Sequence, residues 1–154
     1  MKLSTALDGV HRIGIDSVAF IYLIEKNPRY IDVMRFIAQD VTTGQLHGFS
    51  ASLALTEILV HPLRNADTAL ATQYSAIFQQ SSGFDLVPLT SKIAYKAAEL
   101  RAEHNLKTPD AIHVATAITS GCEAFLTNDS GIKRVTSIKI LILADLELDP
   151  GTED

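Results

Sequence analysis

Short β-branched runs alternate with helix-length segments along the whole chain, and no other feature of the sequence restricts the fold as tightly. His11-Arg12-Ile13-Gly14-Ile15-Asp16 reads as a strand ending on an acid. From Ser17 onward, Val18, Phe20, Ile21, Leu23 and Ile24 recur at helical spacing. Asn27-Pro28 reads as a cap followed by proline at the first helical position, opening a helix that carries Ile31, Met34, Phe36, Ile37 and Val41 to Gly44. Segment 46–50 is a short strand candidate. Ser50 or Ser52 then caps a helix through Leu53, Leu55, Ile58 and Leu59, expected to stop at His61-Pro62 because proline interrupts the helical hydrogen bonds. Residues 65–80 have helical composition, 84–88 read as a strand, Thr90 or Ser91 caps a further helix, and Thr108-Pro109-Asp110 opens another that runs to Gly121. Segments 124–127 and 139–143 supply the last strands. Strands and helices in succession, joined by short connections, predict an α/β fold with a mostly parallel sheet covered on both faces.

With 154 residues, 47% of them hydrophobic, the chain is long enough for one domain that buries roughly 70% of its extended surface. The expectation is a single domain over 1–154, with 1–10 as an N-terminal extension ahead of the first strand and 149–154 as a loose C-terminal tail. Thirteen Lys and Arg against eighteen Asp and Glu leave a formal charge of −5, so any contact with phosphate must be local rather than a broad basic face. Cys122 stands alone, which excludes an internal disulfide and a thiolate zinc site. Stretch 140–144, the longest apolar run near the C-terminus, is far short of the roughly 20 residues that span a bilayer. A cytoplasmic protein is the expectation. None of the eight glycines falls in a GxGxxG, P-loop or GxSxG pattern, and the five histidines form no HExxH, which leaves nucleotide-binding and zinc-hydrolase chemistry without a signature.

Four acids stand out instead. Asp16 ends the first strand and Asp129 follows the strand at 124–127, so both are expected at the carboxyl ends of a parallel sheet, where such folds bind ligands. Glu57 sits among Leu53, Leu55, Ile58, Leu59 and Val60, a helix apolar nearly all round, where a carboxylate needs a cation, a partner or a pocket edge. Asp110 lies in the first turn of its helix. Each has a plainer reading: Asp16 and Asp110 as helix-capping acids, Asp129 as a turn residue, Glu57 as a surface acid. Taken together, carboxylates repel unless a hard cation such as Mg²⁺ or Mn²⁺ sits among their oxygens, the arrangement a phosphodiester hydrolase needs. His113, one turn past Asp110, reads as a core histidine bonded to a neighbour.

The segments carrying these acids are Ile15-Asp16-Ser17-Val18 within 15–23, Thr56-Glu57-Ile58 within 54–60, Thr108-Pro109-Asp110-Ala111 within 108–117, and Thr127-Asn128-Asp129 closing 125–129. In order, they resemble the acidic motifs of PIN-domain ribonucleases, most of all the VapC-like toxins. The resemblance implies a three-layer α/β/α domain and a Mg²⁺- or Mn²⁺-dependent endoribonuclease acting on RNA. Its catalytic and metal-holding residues would be Asp16, Glu57, Asp110 and Asp129, with Ser17, Thr127 and Asn128 as polar supports. It also implies a cognate antitoxin partner and a homodimer, for which helices bearing Ile31, Phe36, Ile77 and Phe78 are candidate surfaces. Lys133 and Arg134, close after Asp129, are candidates for RNA contact, against the alternative of a solvated helix end. The competing function is a catalytically weak PIN-like binding or regulatory module without a toxin role.

Overall fold

Five short parallel strands in the order β3-β2-β1-β4-β5 form the central sheet of the computed structural model, which describes residues 1–152. They are β1 (Arg12–Ile15), β2 (His47–Ala51), β3 (Phe84–Val87), β4 (Ala124–Thr127) and β5 (Lys139–Ile142). β1 lies at the centre, paired in parallel with β2 on one side, where Gly14 is opposite Phe49, and with β4 on the other, where Ile15 is opposite Leu126. The chain therefore builds outward from β1 first toward β3 and then toward β5. The order reverses between β1 and β4, and at their carboxyl ends the two following loops diverge and leave a crevice.

Among the described residues there are seven α-helices, in chain order α1 (Leu3–Ala6), α2 (Ser17–Ile24), α3 (Ile31–Thr42), α4 (Leu53–Arg64), α5 (Thr68–Gln80), α6 (Ser91–His104) and α7 (Thr108–Thr119). Side chains alternate between the faces of a strand, and two cores result. Ile13, Ile15, Ala124, Leu126 and Leu141 pack with α1 to α5, whereas Phe125 packs with α6 and α7 around Ile93, Leu100, Val114 and Ala117. The domain is thus a three-layer α/β/α sandwich. Gly14 faces α7 so closely that a Cβ there would stand 2.5 Å from Ala117 Cβ, so glycine is what lets this helix lie against the sheet. Among the described residues, no helix is long and apolar enough to cross a membrane.

Several elements differ from the expectations. Asn27 does not cap α3: its side chain accepts a hydrogen bond from the Arg29 amide (2.9 Å), its carbonyl accepts from Tyr30 and Ile31, and α3 begins only at Ile31. Asn27-Pro28 makes a turn, with proline's fixed φ serving the turn rather than the helix. α4 continues through Pro62 to Arg64, with the proline in the last turn and its ring buried, where the apolar contact offsets part of the lost hydrogen bond. Ser50 caps nothing; its buried hydroxyl donates to the Ile15 carbonyl (2.6 Å), tying β2 to β1. Phe78 is core, tilted against Phe20 at a centroid distance of 4.8 Å, and so leaves the candidate dimer face.

The two chain ends are joined. Leu3 and Ala6 are fully buried, the Leu3 amide donates to the Glu147 carbonyl (2.8 Å), and the Ser4 hydroxyl donates to Asp149 (2.6 Å). The segment expected to be loose from 149 thus begins with a tethered residue; 153–154 lie outside the described residues.

Candidate metal centre

Asp16 stands at the crevice because β1 ends there and α2 begins. Its backbone is extended, as at a helix N-cap, its Oδ1 accepts from the Ser17 amide (2.8 Å), and its Oδ2 accepts from the buried Thr127 hydroxyl at the end of β4 (2.7 Å). The same Thr127 oxygen accepts from the Asp129 amide (3.1 Å), so one hydroxyl couples the ends of the two central strands. Capping and ligand geometry coexist at Asp16: Oδ1 is used by the helix, yet the side chain still faces the crevice with 13% of its surface exposed.

Glu57 enters from α4 and Asp110 and His113 from α7. Glu57 is not enclosed by an all-apolar helix as its neighbours suggested; Val60 and Leu63 are exposed at 43% and 64%, and the Glu57 side chain is itself 36% exposed. Nε2 of His113 is hydrogen-bonded to Glu57 Oε1 and lies 3.9 Å from Asp16 Oδ1. Among the described residues, Asp16, Glu57 and His113 offer donor atoms all within 4.8 Å of one another. The hydrogen bond to His113 holds Glu57 below the usual carboxylate range against the opposing effect of burial, with the imidazole charge and the Ser17 hydroxyl adding to the lowering. Burial pulls His113 down, but the Glu57 hydrogen bond and the charges of Asp16, Glu57 and Asp110 outweigh it and leave the imidazole raised.

Asp110 shares a neighbouring cavity with Asp129, Asn105, Leu106, Lys107, Gly131 and Arg134. Burial pushes its carboxyl up, and the charges of Asp129, Asp16 and Glu57 push it further, with only His113 opposing. Asp129 caps the short 3₁₀ turn Ser130–Arg134, accepting from the Gly131 amide (2.8 Å). The four predicted acids therefore fall in two neighbouring groups, Asp16 with Glu57 and Asp110 with Asp129, and Asp110 feels the charges of the other three. Such a set, mostly carboxylate oxygen with one imidazole and no thiolate, fits a hard divalent cation, whose charge would relieve the crowding felt by Asp110.

The supporting residues divide. Ser17 and Thr127 touch Asp16, but Asn128 turns away: its amide donates to the Tyr22 hydroxyl (3.1 Å) and its oxygen accepts from the Ala144 amide (3.0 Å). Lys133 is paired with Asp145 at 2.8 Å. Arg134 lines the Asp110–Asp129 cavity, anchored to the Gly131 carbonyl (2.9 Å), and Lys107 joins it there. His113 is buried and bonded to a neighbour, as expected of it, but that neighbour is Glu57, one of the four acids. Its place three residues after Asp110, on the same helix face, was the available signal.

The fold and the acidic crevice define a PIN-type domain, and the comparisons agree. The PIN domain family matches residues 13–138, and the chain belongs to that family. Among solved structures it is similar to VapBC2 from Rickettsia felis bound to a DNA fragment from their promoter, at TM-score 0.66 and 16% identity over 85% of this chain and 98% of that one. It is also similar to FitAcB from Neisseria gonorrhoeae (TM-score 0.64, 13% identity, 88% of this chain and 99% of that one). A toxin–antitoxin complex from Klebsiella pneumoniae matches at TM-score 0.57 and 21% identity, over 84% of this chain and 99% of that one. No curated protein matches the chain in sequence.

Proposed function

We propose that this chain is a metal-dependent endoribonuclease of the VapC-like kind, acting in the cytoplasm as the toxin of a toxin–antitoxin pair. The observation that carries the reading is the grouping of Asp16 with Glu57, and of Asp110 with Asp129 in the neighbouring cavity, near where the strand order reverses; burial raises the Asp110 carboxyl, and the charges of Asp129, Asp16 and Glu57 raise it further. These four acids would hold Mg²⁺ or Mn²⁺. Bound there, the ion supplies Lewis acidity for hydrolysis of an RNA phosphodiester.

The residues of the chain do the rest. The Thr127 hydroxyl and Ser17 amide fix both oxygens of Asp16, which sets the direction in which this carboxylate presents its remaining lone pairs. Arg134 and Lys107 rim the Asp110–Asp129 cavity and offer cationic contacts to RNA phosphates, a local basic edge on a chain that is acidic overall. The antitoxin partner is supported by relatives whose structures are toxin–antitoxin complexes. A homodimer is part of the same reading.

The test is cleavage of a mixed structured RNA by the purified protein with Mg²⁺, with Mn²⁺ and with EDTA, alongside Asp16→Ala and Asp110→Ala. The reading predicts cleavage that chelation and either substitution abolish. A wild-type protein that binds the metal by calorimetry but cuts no RNA would favour a binding or regulatory module.

A further inference from the structure

We infer that His113 is a positioning residue: its buried imidazole aims the Glu57 carboxylate at Asp16 and so completes the metal centre. The inference rests on the metal-dependent reading above and concerns how one of the proposed ligands is held.

The four acids are not equally constrained. Asp16 is held by a backbone amide and a hydroxyl, and Asp129 by the Gly131 amide. Glu57 projects from α4 with 36% of its side chain exposed; the Ser17 hydroxyl lies near it within its own layer, and the buried group that bonds it from the opposite layer is Nε2 of His113. A partly exposed glutamate with no such partner has its rotatable bonds free, and solvent competes for the carboxylate.

The state of the ring points the same way. His113 is 3% exposed, and its Nδ1 is buried with no hydrogen-bond partner among the described residues. A buried polar atom left unsatisfied is a cost that an apolar side chain of similar size would avoid. The compensation lies on the other nitrogen, whose neighbours are Glu57 and, at 3.9 Å, Asp16. α7 thus delivers an acid and the group that orients another acid from one face, three residues apart.

Partners that orient metal-holding side chains are worth about 10–100-fold in metal affinity. Calorimetric titration of Mn²⁺ into the parent, His113→Phe, His113→Gln, Asp16→Ala, Glu57→Gln and the combined His113→Phe/Glu57→Gln protein tests the role, with thermal unfolding recorded on each. His113→Phe keeps a ring but loses the donor and is expected to bind Mn²⁺ about 10–100-fold more weakly. His113→Gln keeps an N–H donor and is expected to recover most of that loss, and adding His113→Phe to Glu57→Gln should weaken binding no further. His113→Leu replaces His113→Phe if the latter does not fold. Folded His113→Phe with parental Mn²⁺ affinity, in a protein whose binding is lost with Asp16→Ala, overturns the positioning role and leaves the metal reading standing. A parent that binds no Mn²⁺ overturns both.

Discussion

Gly14→Ala is the substitution on which the packing account can be tested most sharply. The new Cβ would stand 2.5 Å from Ala117 Cβ and 2.9 Å from Phe125 Cδ2, whereas carbon atoms in contact prefer about 3.5–4.0 Å. Neither neighbour can yield: Ala117 has no side-chain rotation, and both residues are 1% exposed. α7 must therefore lift from β1 by about 1 Å, the shortfall against that preferred separation. Overpacking of this kind costs about 1–3 kcal/mol, and at roughly 2–4 °C per kcal/mol for a chain of this size the Tm should fall by several degrees. Because α7 carries Asp110 and His113, the same shift should weaken Mn²⁺ binding. Thermal and urea unfolding measure the loss, and a double-mutant cycle with Ala117→Gly isolates its cause. Ala117→Gly alone costs about 1 kcal/mol of helix propensity, yet combined with Gly14→Ala it removes the closest clash, so the pair should cost less than the sum of the single changes. A Gly14→Ala protein as stable as the parent, or strict additivity in the cycle, would refute the close approach of helix and strand.

Asp110→Asn should make the metal-free protein more stable at pH 7. The folded pKa of Asp110 is raised by burial and by Asp129, Asp16 and Glu57, so its favourable contribution exists below the unfolded pKa and is lost as pH rises through the folded one. The gain should shrink as pH falls toward 4, and a gain independent of pH would contradict the account. Tyr74→Phe removes the 2.5 Å hydrogen bond from a buried phenol to Glu25 and should cost about 1.5–3 kcal/mol by denaturant unfolding, the value of a hydrogen bond to a charged group; an unchanged midpoint would discount that bond. Arg134→Ala should raise KM for RNA while Lys133→Ala, whose amine is taken up by Asp145, should leave it near the parent's; equal effects would place the RNA elsewhere. Burial pushes the Cys122 thiol up to about 12, so iodoacetamide at pH 8 should label it only after unfolding; rapid labelling of the folded protein would contradict that.

The alternation of strands and helices was legible because buried parallel strands are short β-branched runs and each helix announces itself through its apolar spacing. Where reading and structure part, tertiary contacts decide. Pro62 stays inside α4 because its ring is buried, and Asn27-Pro28 serves a turn because the chain must reverse between α2 and α3. For the centre, the acids at strand ends follow from topology, since every loop at the carboxyl edge of a parallel sheet opens on one side. Which polar neighbours face them does not. Asn128 and Lys133 are as near Asp129 in sequence as Thr127 and Arg134, yet Asn128 bonds Tyr22 and Ala144 and Lys133 bonds Asp145. His113 was hidden for the opposite reason: an apolar helix face marks burial, and nothing in its own segment reveals that Glu57, on another helix and far away in sequence, packs over it.

Anomalous X-ray scattering from crystals equilibrated with Mn²⁺ tests the central claim most directly. The account predicts a metal peak enclosed by carboxylate oxygens of Asp16, Glu57, Asp110 and Asp129, absent in Asp16→Ala crystals. A peak only elsewhere on the molecule, or none at Mn²⁺ concentrations that support RNA cleavage, would contradict it.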